Sequence, residues 1–468
     1  MGSLVTLQVI LLLGYSIFLV GLGLWIGRRV RTSGDFFVAG RRLGPGLLFA
    51  TMLAANVGAG STVGASALGY RDGLSAWWWV GSAGIGSIVL AGWIGPRIRR
   101  LAAEHDLRTV GDYLELRYGR SVRGATAALL WVGTLAILAG QLIALASVLE
   151  VVAGIPKAAG CLIGGVVMMT YFVAGGLLTA AWVNLVQLVV LMVGFVVAVP
   201  LALESAGGWS VLASTHATDP GYWSFWGGGG SGWAYVTMLG PAFIVSPGLL
   251  QKTYGARDDR TVRIGIGLNA AMLLLFAFVP TILGMTARTL HPSLANDTLA
   301  LPTLLMYDLP AVAGGLALAA LFSAEVSTCD AILFMLATSL SQDLYRGYIN
   351  PTATDGRILR VARGAAIVGG GLGVALAIVS PSVIGALSIF YTLLSVSLFV
   401  PILAGLFTRM GGAPEALAAI GTGVVTVLAA PLLSPASLPV MLTPAFLGIV
   451  AAGAAFGITL GARQRLRS

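Results

Sequence analysis

Long apolar runs, most of about twenty residues or more, follow one another along nearly the whole chain with short polar segments between them. Inside a bilayer a helix satisfies its own backbone N–H and C=O groups, and about 20 apolar residues reach across, so each run predicts a transmembrane helix. Thirteen are predicted, near 4–27, 44–69, 73–96, 123–149, 158–177, 179–203, 232–250, 263–287, 309–340, 360–379, 382–408, 412–432 and 438–461. The fifth and sixth are barely separated. The first is too long for a signal-peptide core, and its basic residues Arg28, Arg29 and Arg31 follow it, which predicts a retained span.

Composition excludes a soluble protein, because 57% of the 468 residues are hydrophobic and only 10% are charged. The net charge of +9 does not mark a nucleic-acid binder, since the basic residues sit in short clusters between spans. Threaded through thirteen spans with the N-terminus outside and the C-terminus cytoplasmic, 24 Lys and Arg fall on the cytoplasmic side. Arg71, Lys157 and Arg288 alone fall outside. A multi-pass protein of the cell membrane is expected, with the lipid bilayer as its partner and no obligatory protein partner evident. Cys161 and Cys329 lie in apolar stretches without metal-ligand neighbours, so neither a disulfide framework nor a zinc site is supported.

Two spans are interrupted. The second contains Asn56-Val57-Gly58-Ala59-Gly60-Ser61, and the seventh contains Gly240-Pro241 and Ser246-Pro247-Gly248. Glycine costs about 1 kcal/mol and proline about 3 in a helix interior, which predicts unwinding there. Small-residue helix packing explains either break alone. The two spans, however, are five apart, an odd interval that inverts topology, and paired breaks of this kind point to an inverted-repeat transporter with a site at mid-membrane. The expected organisation is a leading helix and cytoplasmic loop (1–43), a first five-helix repeat (44–204), an outer loop (205–231), a second, inverted five-helix repeat (232–409), and two trailing helices with a short tail (410–468). In the outer loop, three tryptophans and Gly227 to Gly230 read as a lid or an aromatic interfacial anchor. Thr109 to Leu114 reads as a short amphipathic surface helix.

Several motifs then resemble the sodium:solute symporter family. Gly34-Asp35-Phe36-Phe37-Val38-Ala39-Gly40-Arg41-Arg42-Leu43 is similar to its signature after the leading helix. Gly175-Gly176 with Trp182 and Gln187 is similar to its fifth core helix. Ser327-Thr328-Cys329-Asp330 with Asp343-Leu344-Tyr345 resembles its eighth, and Gly405-Leu406-Phe407 its tenth. The resemblance implies an all-α, LeuT-like five-plus-five fold. It also implies a co-transported sodium ion held by the carbonyls of Ala54, Val57 and Ala324 and the hydroxyls of Ser327 and Thr328. The residues agree with this: a hard cation takes several oxygens, and positions 324, 327, 328 and 331 share one helical face at about 100° per residue. Read alone, the two hydroxyls would bond back to their own helix.

This chain also departs from the family pattern. Members with a second sodium site carry aspartate at the position of Asn184 and serine at that of Ala324, so one sodium per cycle is expected. Sugar-carrying members have an acidic residue at the position of Val80, which disfavours a sugar. Glu325 and Asp330 are the deepest carboxylates, each about 110° from the ion face on opposite flanks. Asp330 reads as structural, while Glu325 is a candidate proton or counter-ion site. Asn56, Gly58, Ser61, Trp79, Ser246 and Tyr391 are candidate substrate contacts by location. Polar groups at a break can equally serve the freed backbone, and the Trp77-Trp78-Trp79 run equally fits an interfacial anchor. His105, His216 and His291 fall in loops and carry no assigned chemistry.

The expected function is secondary active import of a small organic solute, coupled to sodium by alternating access. No phosphate-binding loop argues for ATP, no catalytic constellation argues for an enzyme, and no organic cofactor is implied. Competing readings are proton coupling through Glu325 and a passive uniporter or channel on the same scaffold. A membrane-embedded sensor is disfavoured, since only Arg463 to Ser468 follows the last predicted span.

Overall fold

The computed structural model describes residues 41–227, 231–430 and 442–466, together with scattered positions from 10 to 25; for 171–185, 231 and 330 the backbone alone is described. The loop 34–40, the basic flank of the leading span, Gly228 to Gly230, the start of the last predicted span and the side chains of Trp182, Asn184 and Asp330 therefore lie outside the described residues. Among the described residues, regular structure is helical apart from one isolated bridge, Leu43 to Ala256.

Among the described residues, nine helices are long and apolar enough to cross a membrane, and three apolar helices are shorter. The leading span predicted at 4–27 falls largely outside those residues. The second predicted span is divided between a short helix, α1 (Pro45–Asn56), and the first part of a helical run from Gly60 to Glu104. That run contains α2 (Ala65–Asp72), α3 (Trp77–Val89) and α4 (Gly95–Glu104), joined by short π and 3-10 turns. Its corner is Gly73, at φ 68°, where a Cβ would stand 2.0 Å from the Tyr222 carbonyl oxygen, so only glycine fits. The fifth and sixth predicted spans form one helical backbone, α7 (Lys157–Ser205), without the expected separation.

The two expected breaks differ. α1 ends at Val57, and the chain resumes in a π-helical turn over Gly60–Gly64. In the seventh span, α8 (Ser231–Val245) runs straight through Pro241, contrary to expectation. Membrane helices tolerate proline where neighbours take up the freed backbone. The break falls at Ser246, because Pro247 disfavours a helical preceding residue and starts α9 (Pro247–Tyr254) at its N1 position. Leu43, just ahead of α1, bonds to Gly255 and Arg257, just beyond α9. The two broken helices therefore run antiparallel, with the start of one beside the end of the other.

The remaining elements used below are α5 (Val110–Tyr118), α6 (Arg120–Ala153), α10 (Asp259–Phe276), α11 (Phe278–Leu290), α12 (Ala311–Thr338), α13 (Asp355–Val379), α14 (Val383–Phe407), α15 (Ala413–Ala429) and α16 (Pro444–Arg465). α12 packs along α7, and α6 lies against both α13 and α14, which places α12 at the centre of the bundle. α5 is not a surface helix. Thr109 and Asp112 form its capping box, and Val110, Tyr113 and Leu114 are buried.

Charge sorts the bundle into two faces. Ion pairs among the described residues join Arg41 to Asp106, Arg99 to Asp259, Arg123 to Asp343 and Arg463 to Glu415 on one face. On the other they join Arg71 to Asp297 and His291 to Asp308. None crosses between the two sets that the basic-residue alternation predicts. On the second face the 209–226 segment forms two short helices, and Tyr222 Oη donates to the Gly69 carbonyl at 2.8 Å. Trp78 stacks on Trp226.

Candidate functional site

The end of α1 meets the middle of α12. Ser327 Oγ lies 2.8 Å from the Ala54 carbonyl oxygen and 3.1 Å from that of Ala324, and Thr328 Oγ1 lies 3.3 Å from Ala54 O. Four of the five oxygen donors expected from the sequence thus converge, and the two hydroxyls reach across to α1 rather than serving their own helix alone. No hydrogen bond records a position for the Val57 carbonyl. Both hydroxyl residues are buried, at 1% and 5% exposure. Gly58 closes the cluster, since a Cβ there would stand 2.2 Å from Thr328 Oγ1.

Two adjoining cavities lie beside this cluster. The upper one, about 20 Å³, is bordered by Asn56, Gly58, Ser61, Trp79 and Tyr391, together with Val80 and Gln141. Five of the six candidate substrate contacts therefore share one cavity. Ser246 instead borders a second, lower cavity, of about 40 Å³, with Lys252 and Met335. Thr328, Asn56, Phe243 and Tyr391 border both cavities. Trp79 meets Tyr235 and Tyr391 edge-on, whereas Trp77 and Trp78 donate their indole N–H groups to the Leu274 and Phe225 carbonyls and act as anchors. Ser61 spends its hydroxyl on the break, donating to Asn56 O at 2.8 Å and accepting from Gly58 N at 3.0 Å.

Glu325 meets the broken segment through Thr62, whose hydroxyl also lies 2.8 Å from the Gly58 carbonyl oxygen. Glu325 is fully buried; Oε1 is 2.7 Å from Thr62 Oγ1, and Oε2 has no partner among the described residues. His216 contacts Thr289, and His291 pairs with Asp308 on the second of the two charged faces. Both lie far in sequence from the break, and neither borders a cavity beside it. Among the described residues no cluster of three His, Cys, Asp or Glu could hold a metal, and both cysteines are buried outside any disulfide.

The sequence reading passed over three polar residues near the break. Gln141 of α6 accepts from the Ala59 N–H at 2.8 Å. Asn269 of α10 accepts from Asn56 Nδ2 at 3.1 Å. Lys252 of α9 donates to the Thr51 carbonyl at 2.9 Å. Gln141 and Asn269 are each an isolated polar residue in an apolar stretch, whereas Lys252 stands between Gln251 and Thr253 near the end of α9. Such isolation is itself a signal, since a buried polar group in a membrane needs a partner.

Comparison with known proteins follows this geometry. A family model described as Sodium:solute symporter family matches residues 36–423. The chain is 28% identical to a sodium/pantothenate symporter of Escherichia coli (strain K12), over 72% of each chain. It is 25% identical to a sodium/glucose cotransporter of Vibrio parahaemolyticus, over 76% of this chain and 71% of that one. In fold it is similar to a substrate-bound, outward-open Na⁺-coupled sialic acid symporter, with a TM-score of 0.82, 19% identity and 97% of each chain covered.

Proposed function

The chain belongs to the sodium:solute symporter family, and from that premise we propose that it imports a small organic solute across the cell membrane, driven by one sodium ion per cycle. The scaffold in this reading is the five-plus-five inverted repeat, 44–204 and 232–409. A leading helix precedes it and two helices trail it, with the N-terminus outside and the C-terminus cytoplasmic. One observation carries the proposal: Ser327 Oγ and Thr328 Oγ1 lie 2.8 and 3.3 Å from the Ala54 carbonyl where α1 breaks.

Without an ion, each hydroxyl turns its proton to a carbonyl. With sodium between them, the protons rotate away and lone pairs face the cation, joined by the carbonyls of Ala54, Ala324 and Val57. The antiparallel broken helices meet at this level, so rocking one repeat against the other exposes the site to each side in turn. For one charge, about 2.3 kcal/mol per 100 mV and about 1.4 for a tenfold sodium gradient sum to near 4, enough for roughly several-hundred-fold accumulation of a neutral solute.

Asn184 and Ala324, in place of the oxygen donors of a second sodium site, support a single ion. Val80, which borders the upper cavity, disfavours a sugar. A second reading, proton coupling through Glu325, is favoured by one observation: a fully buried carboxylate with a single hydroxyl partner. The test is uptake of a labelled solute panel into proteoliposomes, with and without an imposed sodium gradient. Accumulation only with sodium supports the proposal. Equal flux without it supports a passive carrier, and accumulation driven by a proton gradient alone supports the second reading.

A further inference from the structure

Gln141 sits in the middle of α6, 1% exposed, in a run of otherwise apolar and small residues from Ala136 to Ala146. Its two amide atoms face different tasks. Oε1 accepts the Ala59 N–H at 2.8 Å, one of the backbone donors that the break in α1 sets free. Nε2 makes no hydrogen bond among the described residues, yet Gln141 borders the upper cavity. A buried amide donor in a membrane protein is costly without an acceptor, so the cavity is where its acceptor belongs.

Gln141 also stands one contact from the ion cluster. A Cβ on Gly58 would meet Thr328 Oγ1 at 2.2 Å and Gln141 Oε1 at 2.8 Å, so this glycine is wedged between the two side chains. Thr328 Oγ1 is 3.3 Å from Ala54 O. Gln141, Ala59, Gly58, Thr328 and Ala54 thus form one continuous chain of contacts from the cavity to the proposed sodium ligands.

The rest of the cavity wall narrows the ligand. No Asp, Glu, Lys, Arg or His borders it, while Val80, Ala83, Leu239, Phe243 and Leu273 supply an apolar side. Trp79 borders it too, with its indole nitrogen 3.3 Å from where a Gly60 Cβ would be. A cationic solute would find no counter-charge there. A solute with an sp² oxygen would find N–H donors and an apolar surface for its remainder.

We infer that Gln141 is the residue that couples solute to sodium: Nε2 donates to a carbonyl or carboxylate oxygen of a small, non-cationic solute, while Oε1 holds the broken segment in its ion-binding shape. The inference rests on the sodium reading above and goes further by naming the solute's chemistry and the residue that reads it. Filling the cavity orients the amide, the oriented amide fixes Ala59 and Gly58, and Gly58 holds Thr328 against Ala54. Solute and sodium then each tighten the other's binding, as linkage requires.

The experiment is equilibrium binding to the purified full-length protein, in sodium or potassium chloride. It uses radiolabelled sodium and four labelled probes: pyruvate (carboxylate), 2-pyrrolidinone (neutral carbonyl), glucose (hydroxyls only) and choline (cation). Sodium-dependent binding of pyruvate or 2-pyrrolidinone, and of neither glucose nor choline, is expected, and which of the two binds separates an anionic from a neutral oxygen. Gln141→Leu removes both amide atoms, weakening the bound probe by about tenfold or more and sodium by about threefold. Gln141→Glu keeps the acceptor for Ala59 and loses the amide donor, so sodium affinity recovers while probe affinity stays low.

Binding of glucose or choline alone overturns the inference, as does a Gln141→Leu variant with unchanged probe affinity. Equal recovery of both affinities in Gln141→Glu makes the residue merely structural and also overturns it. A wild-type protein that binds no sodium defeats the sodium reading itself. A protein whose sodium binding depends on Ser327 and whose probe binding ignores Gln141 defeats this inference alone.

Discussion

Arg41 and Asp106 are the two non-glycine residues among those described whose backbone is left-handed, at φ 57° and 49°, and they hold one another: Arg41 Nη2 donates to Asp106 Oδ1 at 2.9 Å. Arg41 also donates to the carbonyls of Leu107 and Tyr254, gathering the start of α1, the end of α9 and the loop before α5. A left-handed non-glycine residue costs about 1 kcal/mol, so this clasp persists because its contacts over-determine it. If the lower cavity opens toward this face during transport, these elements are the ones that part.

A cysteine at Ser246, on the lower cavity, reports that opening. An exposed ion pair contributes at most about 1 kcal/mol, so Asp106→Asn speeds labelling of Ser246→Cys from the cytoplasmic side by roughly three- to fivefold. Arg41→Ala removes the carbonyl contacts as well and has the larger effect. The hydrogen bond from Arg41 holds the Asp106 carboxyl below the usual carboxylate range. A depressed pKa stabilises the clasp above the unfolded value, and that contribution is lost only as pH falls through the lowered one. Once corrected for the ionisation of the thiol itself, the labelling rate of the Ser246→Cys protein is therefore flat between about pH 5 and 8.

Gly58→Ala places a methyl 2.2 Å from Thr328 Oγ1 and 2.8 Å from Gln141 Oε1. Forced overpacking costs about 1–3 kcal/mol and here falls on ion ligands, so sodium affinity drops about tenfold or more. Gly371→Ala in α13, where nothing stands within 4 Å of the added carbon, leaves it unchanged. Sodium titrations of the two variants make the comparison.

Arg123 joins α5, α6 and the end of the α12 run. Its guanidinium meets Asp112 at 2.8 Å, Glu115 at 2.6 Å and Asp343 at 3.0 Å, and Thr109 Oγ1 donates to Asp343 at 2.6 Å. Breaking a buried pair from one side leaves an uncompensated charge, so Arg123→Met destabilises by about 3–5 kcal/mol. Adding Asp343→Leu recovers most of that loss. Thermal unfolding of the detergent-purified variants reads both effects.

Glu325→Gln replaces a buried carboxyl that meets Thr62 and no described basic residue. Under sodium coupling, the half-saturating sodium concentration changes by less than about threefold, because Glu325 lies off the ion face. Under proton coupling, accumulation driven by a proton gradient disappears in this variant. Uptake under each gradient separately distinguishes the two.

The breaks and the convergence of Ala324, Ser327 and Thr328 on Ala54 were legible in sequence because each is written in neighbouring residues: glycines after Asn56, Ser246-Pro247, and the spacing of 324, 327 and 328. Pro241 misled, because whether a proline breaks a membrane helix depends on what the surrounding helices offer the freed backbone, which no local pattern announces. Gln141, 82 residues from its partner Ala59, and the Arg41–Asp106 clasp, 65 apart, are contacts between distant segments with no local pattern to announce them. The boundary between the second and third predicted spans, at 69–73, falls where the chain turns at Gly73, whereas the boundary predicted at 177–179 lies inside the continuous backbone of α7.

The central claim is that sodium sits between the carbonyl freed at Ala54 and the hydroxyls of Ser327 and Thr328. Equilibrium binding of radiolabelled sodium to the purified protein, compared with Ser327→Ala and Thr328→Ala, tests it most directly. Loss of one ligand of a buried cation costs about 1.4 kcal/mol or more, so each variant needs at least roughly ten times more sodium for half-saturation. Sodium binding with the same midpoint in wild type and both variants would contradict the account.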